Sequence, residues 1–321
     1  MTILSRVFKN IFIPKKVSKL PKILVILGPT ASGKTDLSLA LAKKFDGEVV
    51  NADSRQVYQE MDIGTAKPAG EWGGGQYMVA GVAHHLMDIV SPDTEFTLAN
   101  FKERAQLAVA DILERGKLPI VVGGTGLYIW SLVDNLEIPS VAPDIKLRAQ
   151  LEEKSLEELV EMLKKIDPES AEIIDIQNSR RVLRALEVAF ATGESFVGQQ
   201  KKGRPFYNVL QIGVSWPRAV LYDRINDRVD QQIASGLLDE TIDLAKKYSW
   251  SLPSMSGIGY RQLGYFLRGE MSLSEVVEIL KRDTRRYAKR QETWFKRDKR
   301  ICWIDGADQA RAEKLINKFK K

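Results

Sequence analysis

Two rhythms of hydrophobic and polar residues run along this chain, and the change between them divides it. From Lys22 onward short apolar runs recur, at Ile23 to Leu27, Glu48 to Val50, Leu118 to Val122 and Tyr207 to Val214. Continuous runs of that length, bounded by turn residues, predict strands buried on both faces of a sheet. Helical spacing lies between them, from Asp36 to Phe45 and from Phe101 to Arg115, the second closed by Gly116. Strands alternating with helices predict an α/β fold with a parallel sheet. Between about Asn135 and Pro205 the rhythm changes. Pro139 and Pro143 mark a junction, and from Ile145 to Ile176 the apolar positions Leu147, Leu151, Leu156, Leu159 and Leu163 keep helical intervals. Residues 135–205 therefore read as a helical insertion in a core built from 22–134 and 206–321. Further helices are expected over Arg218–Ser235, stopped by Gly236, and over Ser272–Asp298, with Ile301–Ile304 as a last edge strand.

Composition narrows the class. At 321 residues, 44% hydrophobic and 28% charged, the chain can bury a core and is neither fibrous nor disordered. Its apolar runs fall far short of the roughly 18 residues a membrane helix needs. Cys302 is the one cysteine, so an internal disulfide is excluded; with only His84 and His85 as further soft ligands, a zinc cluster is not expected. A reducing, cytoplasmic setting fits. The formal charge of +6 is unevenly placed. Lys281–Arg300 holds ten basic and three acidic residues, a net +7, and the first 22 residues hold six basic residues and no acid. Residues 1–21 read as a basic N-terminal extension, either a loose arm or a targeting peptide. On a helix, Arg282, Arg286, Arg290, Thr293 and Arg297 share one face, which suits a polyanion such as nucleic acid, while Tyr287 and Trp294 share another. A solvated helix face is the plainer alternative.

Gly28-Pro29-Thr30-Ala31-Ser32-Gly33-Lys34-Thr35 matches G-x-x-x-x-G-K-[ST] and sits between a predicted strand and helix, as a phosphate-binding loop requires. Its backbone N–H groups would converge on phosphate oxygens at a helix N-terminus, with Lys34 adding charge and Thr35 a hydroxyl for Mg²⁺. Asp53 follows the second strand, where it could take a proton from an acceptor or simply cap a turn. Gly123-Gly124-Thr125-Gly126 ends another strand without an acid of the kind an ATPase uses there. These glycines would admit a ligand closely or make a tight turn. A small-molecule kinase using Asp53, and an RNA-binding module using the basic helix, both fit these motifs taken singly.

Taken in order, the motifs resemble the tRNA dimethylallyltransferase family. The phosphate loop is followed by Asp53-Ser54-Arg55-Gln56, Met61-Asp62-Ile63-Gly64-Thr65-Ala66-Lys67-Pro68, His84-His85-Leu86 with Asp88, and Val121-Val122-Gly123-Gly124-Thr125-Gly126-Leu127-Tyr128. Arg180-Arg181 with Arg184-Ala185-Leu186-Glu187-Val188, Gly259-Tyr260-Arg261-Gln262 and Lys289-Arg290-Gln291-Glu292-Thr293-Trp294-Phe295 complete the series, which spans roughly residues 23–304.

The resemblance implies a P-loop NTPase-like parallel sheet core with a helical insertion. It also implies transfer of a dimethylallyl group from dimethylallyl diphosphate to N6 of the adenosine 3′ to a tRNA anticodon, with diphosphate released. The loop Gly28, Pro29, Thr30, Ala31, Ser32, Gly33, Lys34 and Thr35 would hold the donor, with Mg²⁺ at Thr35, and Asp53, Thr125 and Arg228 would be catalytic. The anticodon stem-loop would meet Asp53, Ser54, Arg55 and Gln56 with Thr125, then Arg148 and Arg180, Arg181, Val182, Leu183 and Arg184 in the insertion. It would also meet Ser256, Gly257, Ile258, Gly259, Tyr260 and Arg261, and finally Lys289, Arg290, Gln291, Glu292, Thr293, Trp294, Phe295 and Lys296. Ser256-Gly257 departs from the Arg-Cys pair of some members. Eukaryotic members often add a zinc finger that one cysteine cannot build, so a bacterial-type, monomeric enzyme is expected.

Overall fold

A computed structural model describes residues 20–138, 144–199 and 201–321. Most of the expected N-terminal extension and the Pro139–Pro143 junction lie outside them. The chain forms two compact units, one of residues up to Ile129 with Phe206–Lys321, the other Trp130–Pro205.

The larger unit begins β1 (Lys22–Leu27), α1 (Lys34–Phe45), β2 (Gly47–Asn51), β3 (Glu71–Gly73), β4 (Gln76–Val79), β5 (Val82–His85), α2 (Leu98–Glu114) and β6 (Leu118–Gly123). Helix α3 (Gly126–Val133) leads into the second unit, which holds α4 (Ile145–Glu152), α5 (Leu156–Ile166), α6 (Pro168–Ile173) and α7 (Ser179–Thr192). The larger unit resumes with β7 (Asn208–Ser215), α8 (Arg218–Ala234), α9 (Leu237–Lys247), α10 (Tyr260–Leu267), α11 (Leu273–Phe295), β8 (Cys302–Asp305) and α12 (Gln309–Lys320).

The sheet runs β3-β4-β5-β2-β6-β1-β7-β8. The six strands from β5 to β8 are parallel, as the apolar runs predict, and Ile26, Ile120, Val122, Ile212 and Val214 centre the core. Register does the functional work. Leu27 of β1 pairs with Gly123 of β6 and Gly213 of β7, and Asn51 of β2 pairs with Val122. The three strands thus end side by side, and the loops that follow them emerge together at one edge, where open parallel sheets place ligands.

The antiparallel edge β3–β5 departs from the all-parallel expectation. Its strands have three or four residues each, joined by two-residue turns at Gly74-Gly75 and Ala80-Gly81 in which every residue has positive φ. Such turns match the twist of a hairpin.

The single helical stretch expected from Ile145 to Ile176 is three helices. Ser155 forms a capping box with Glu158, and Asp167 accepts from the Ser170 and Phe196 amides, so each restarts or holds the chain. Leu151, Leu159, Leu163, Val182, Ala185 and Leu186 form the core of this unit. The carboxylate of Glu187, 1% exposed, receives Arg148 Nε and Nη2 at 2.6 and 3.0 Å and Arg184 Nη1 at 3.3 Å. A buried carboxylate stripped of its main partner is strongly destabilising. Arg148→Ala is therefore expected to lower the stability of the helical unit by about 2–4 kcal/mol, read as a fall in denaturant midpoint; an unchanged midpoint would leave Arg148 free for ligands alone.

Candidate active site at the strand ends

The phosphate loop leaves β1 and enters α1 through Gly33, whose φ of +89° provides a helix cap with no side-chain hydrogen bond, so the first-turn amides stay available to an anion. The loop is braced from outside. Trp216 Nε1 donates to the Ser32 carbonyl (2.9 Å), Arg224 Nε donates to the Ala31 carbonyl (2.8 Å), and the Arg224 guanidinium lies 4.9 Å over the Trp216 ring. Lys34 Nζ donates to the Pro29 carbonyl (2.6 Å). Desolvation and the neighbouring Arg228 pull the Lys34 ammonium down to about 7, against the opposing pull of Asp53. Burial, then Arg224, also lowers Arg228, whose Nη1 donates to Thr30 Oγ1 (3.3 Å). Ser32 Oγ is buried with no hydrogen-bond partner among the described residues. Crowded cations and a buried hydroxyl beside the open amides of the first turn of α1 are the donor set of an anion site, the Thr30 and Ser32 amides being engaged within the protein.

Asp53 stands on a shaped turn. Asn51 Oδ1 accepts from the Asp53 amide (3.1 Å), while Asn51 Nδ2 donates to the Leu86 carbonyl (2.9 Å). Asp53 Oδ1 accepts from the Arg55 amide (2.8 Å), so the turn-capping role is real. Its other oxygen has no hydrogen bond among the described residues, which leaves one carboxylate oxygen for a ligand.

Two cavities meet at this carboxylate. One, about 400 Å³, lies over the phosphate loop and is walled by Lys34, Thr35, Arg224 and Gly124 on its polar side and by Leu39, Pro68, Met87 and Val122 on its apolar side. The other, about 650 Å³, is walled by Arg55, Arg261, Arg282, Arg286 and Arg290. Both volumes suit ligands. Thr30, Asp53, Thr65, Ala66, Arg228 and Tyr287 line both cavities. An anion cradle with an apolar annex therefore borders an arginine-rich chamber, with a carboxylate and an arginine at the border.

The family model for IPP transferase matches residues 56–298, and that for isopentenyl transferase matches residues 21–72. The chain belongs to the IPP transferase family. A tRNA dimethylallyltransferase of Acetivibrio thermocellus is 48% identical over 93% of this chain and 96% of its own length. The full-length tRNA isopentenylpyrophosphate transferase of Bacillus halodurans shares the fold at a TM-score of 0.68 with 39% identity, covering 93% of this chain and 98% of that one. A eukaryotic dimethylallyltransferase captured acting on tRNA superposes at a TM-score of 0.75 with 28% identity, covering 94% and 77%. These neighbours confirm the P-loop NTPase-like core.

Within this transferase-family site, most of the expected residues converge. Ser54, Arg55, Ser256, Gly257, Ile258, Gly259, Tyr260, Arg261 and Arg290 all wall the larger cavity, and Gln56 walls the smaller. Arg180, Arg181, Lys289, Thr293 and Lys296 are exposed; Leu183 and Glu292 are half-buried. Thr125 is half-buried; its Oγ1 accepts from the Ser54 amide (3.1 Å) and its own amide donates to the Ala52 carbonyl, so it also positions the Asp53 turn. Several of the expected RNA contacts need correction. Val182 and Phe295 are buried in apolar cores, at 0% and 1% exposure, and cannot touch RNA. Gln291 is also buried, turned toward the loops. Arg148 and Arg184 are engaged by Glu187, and Trp294 packs where a Cβ on Gly126 would be.

Several contributors were given no role from the sequence, although His84 and Lys67 stand in its motifs. Arg224 braces the loop. His84 walls the smaller cavity with Nδ1 donating to the Val82 carbonyl (3.0 Å), and burial lowers its pKa, so it is neutral there. Lys67 is buried between Asp62 Oδ1 and Asp88 Oδ1, at 2.5 and 2.7 Å, and is structural. Glu240 accepts from the consecutive amides of Asp62, Ile63 and Gly64 at 2.7 to 3.0 Å and from Tyr260 OH at 2.7 Å, which fixes two segments of the larger cavity's wall.

Lys34 gives anion binding a pH signature. The free ammonium is half lost near pH 7, and an anion in the cradle restores its charge. Affinity for inorganic pyrophosphate should be insensitive to this group well below pH 7 and fall by up to about tenfold per unit above it. Calorimetric titration reads the slope; an equal slope in Lys34→Met would remove Lys34 from the site.

Proposed function

We propose that this protein transfers the dimethylallyl group of dimethylallyl diphosphate to N6 of the adenosine 3′-adjacent to the anticodon of tRNA, releasing diphosphate. The observation that carries the proposal is the shared wall, where Asp53 and Arg228 stand between the phosphate-loop cavity and the arginine-lined chamber. The diphosphate occupies the cradle, accepting from the loop amides, Ser32 and Lys34, with the prenyl tail against Leu39, Met87 and Val122. The anticodon loop lies along Arg282, Arg286 and Arg290, which are exposed and suit phosphates. Placing the target base at Asp53 requires unstacking it, which costs a few kcal/mol.

In the reaction the N6 lone pair forms a bond to the allylic C1, and the C1–O bond breaks with its electron pair leaving on diphosphate. The free oxygen of Asp53 takes the N6 proton as that nitrogen becomes positive. Lys34, Arg228 and the amides face the charge growing on the departing oxygen. Thr125 acts through Ser54, by holding the turn.

Thr35 offers a hydroxyl to the cradle with no hydrogen bond among the described residues, and no cluster of acids is found there to hold a metal alone. That single oxygen fits Mg²⁺ carried mainly by the diphosphate. When bound, Mg²⁺ would neutralise charge on the leaving group. We read the protein as a monomer, and the lone cysteine suits the cytoplasm.

Incubation with dimethylallyl diphosphate, Mg²⁺ and unmodified tRNA, followed by mass analysis of nucleosides, should show N6-dimethylallyladenosine. Asp53→Asn should lower kcat by about 10²- to 10⁴-fold while stem-loop affinity is kept. Absence of any modified nucleoside with the wild-type protein would refute the proposal.

A further inference from the structure

Gln291 belongs to the run expected to face RNA, yet it points the other way. Its Oε1 accepts from the Thr30 amide at 2.9 Å and its Nε2 donates to the Gly124 carbonyl at 2.9 Å. Thr30 lies in the phosphate loop after β1, Gly124 in the loop after β6, and Gln291 on α11. One carboxamide thus ties three chain segments together. Its orientation is fixed by its partners, because a flipped amide would set N–H against N–H and oxygen against oxygen.

The glycine loop is shaped around this tie. A Cβ on Gly124 would collide with Gln291 Nε2, and one on Gly126 would collide with the Trp294 indole. A Cβ on Gly123 would run into the Ala52 backbone beside the Asp53 turn. The glycines therefore admit α11 and β2 rather than only a ligand. On the same helix Tyr287 lines both cavities and Arg286 and Arg290 wall the larger one. The residue between the acceptor-side arginines and the donor loop is Gln291.

We infer that Gln291 is a positioning residue for the donor: it sets the phosphate loop and the Gly123–Gly126 loop at a fixed spacing and makes no contact with RNA. Thr30 is the loop residue that meets Arg228, so releasing its amide also frees the arginine that faces the leaving group. The inference rests on the reading of the Gly28–Thr35 loop as a diphosphate cradle.

Two variants of the full chain test it. Gln291→Met keeps length and loses both hydrogen bonds to the loops, along with the contact to the Tyr287 hydroxyl. Gln291→Glu is conditional: ionised, it can accept from Thr30 but sets a negative charge against the Gly124 carbonyl, whereas protonated it reproduces both bonds with a C=O and an O–H. The titratable and charged groups sharing its cavity are Lys34, Asp36, Asp53, His84, Arg224 and Arg228, with Tyr287 on its own helix. Each measurement is therefore taken as a ratio to wild type at the same pH.

Calorimetry with inorganic pyrophosphate and anisotropy with a labelled anticodon stem-loop separate the two binding events. Gln291→Met is expected to weaken pyrophosphate about 10- to 100-fold while stem-loop affinity stays within about twofold. For Gln291→Glu, the pyrophosphate ratio to wild type is expected to recover as pH falls from about 8 to 5.5. Wild-type pyrophosphate affinity in Gln291→Met would overturn the inference, as would loss of stem-loop binding with donor binding intact. Equal loss of both ligands with no recovery of Gln291→Glu at low pH would make Gln291 a general packing residue, again overturning it. Should Gln291→Met fail to fold, the pH response of Gln291→Glu decides alone. If wild type itself binds no pyrophosphate, the cradle reading falls and takes the inference with it; if it binds pyrophosphate but transfers no prenyl group, only the proposed reaction falls.

Discussion

Concentrated positive charge at the ends of three adjacent strands is the constraint around which this molecule is arranged. Lys34, Arg224 and Arg228 line one small chamber, where burial first and the neighbouring cations second lower the affinity of Lys34 and Arg228 for their protons. Such a cluster persists only where a rigid frame opposes relaxation. The in-register ends of β1, β2 and β6 provide that frame. Trp216 and Arg224 hold the phosphate loop through the Ser32 and Ala31 carbonyls.

Asp53 gains its meaning from the same frame. Asn51 and Arg55 fix its backbone and one of its oxygens, and Thr125 fixes the residue that follows. The carboxylate is then placed by three hydrogen bonds rather than by a long flexible side chain. A carboxylate held in this way faces the border between two cavities, the geometry that the proposed displacement between two separately bound substrates requires.

Much of this was legible in the sequence, for identifiable reasons. A phosphate loop constrains the backbone so tightly that its residue spacing is diagnostic, and continuous apolar runs announce buried parallel strands. The edge β3–β5 escaped because its strands are too short for periodicity to register, although Gly74-Gly75 is a recognised hairpin signal. The direction of Gln291 and Phe295 could not be read from a stretch in which nearly every neighbour is charged or aromatic. Which face of α11 turns inward depends on loops over 150 residues earlier in sequence. The engagement of Arg148 by Glu187 was hidden likewise, by a separation of 39 residues. Chemistry carried by local spacing could be seen, and chemistry carried by long-range pairing could not.

The contact between Glu240 and the consecutive amides of Asp62, Ile63 and Gly64 has a consequence for where the substrate's phosphates settle. Three successive N–H groups make a concavity suited to an anion, so the molecule carries a second phosphate-like receptor a short way from the Lys34 loop. Glu240 occupies it permanently from within the chain. Those three amides are thereby spent on a side chain of the protein itself and withheld from a phosphate.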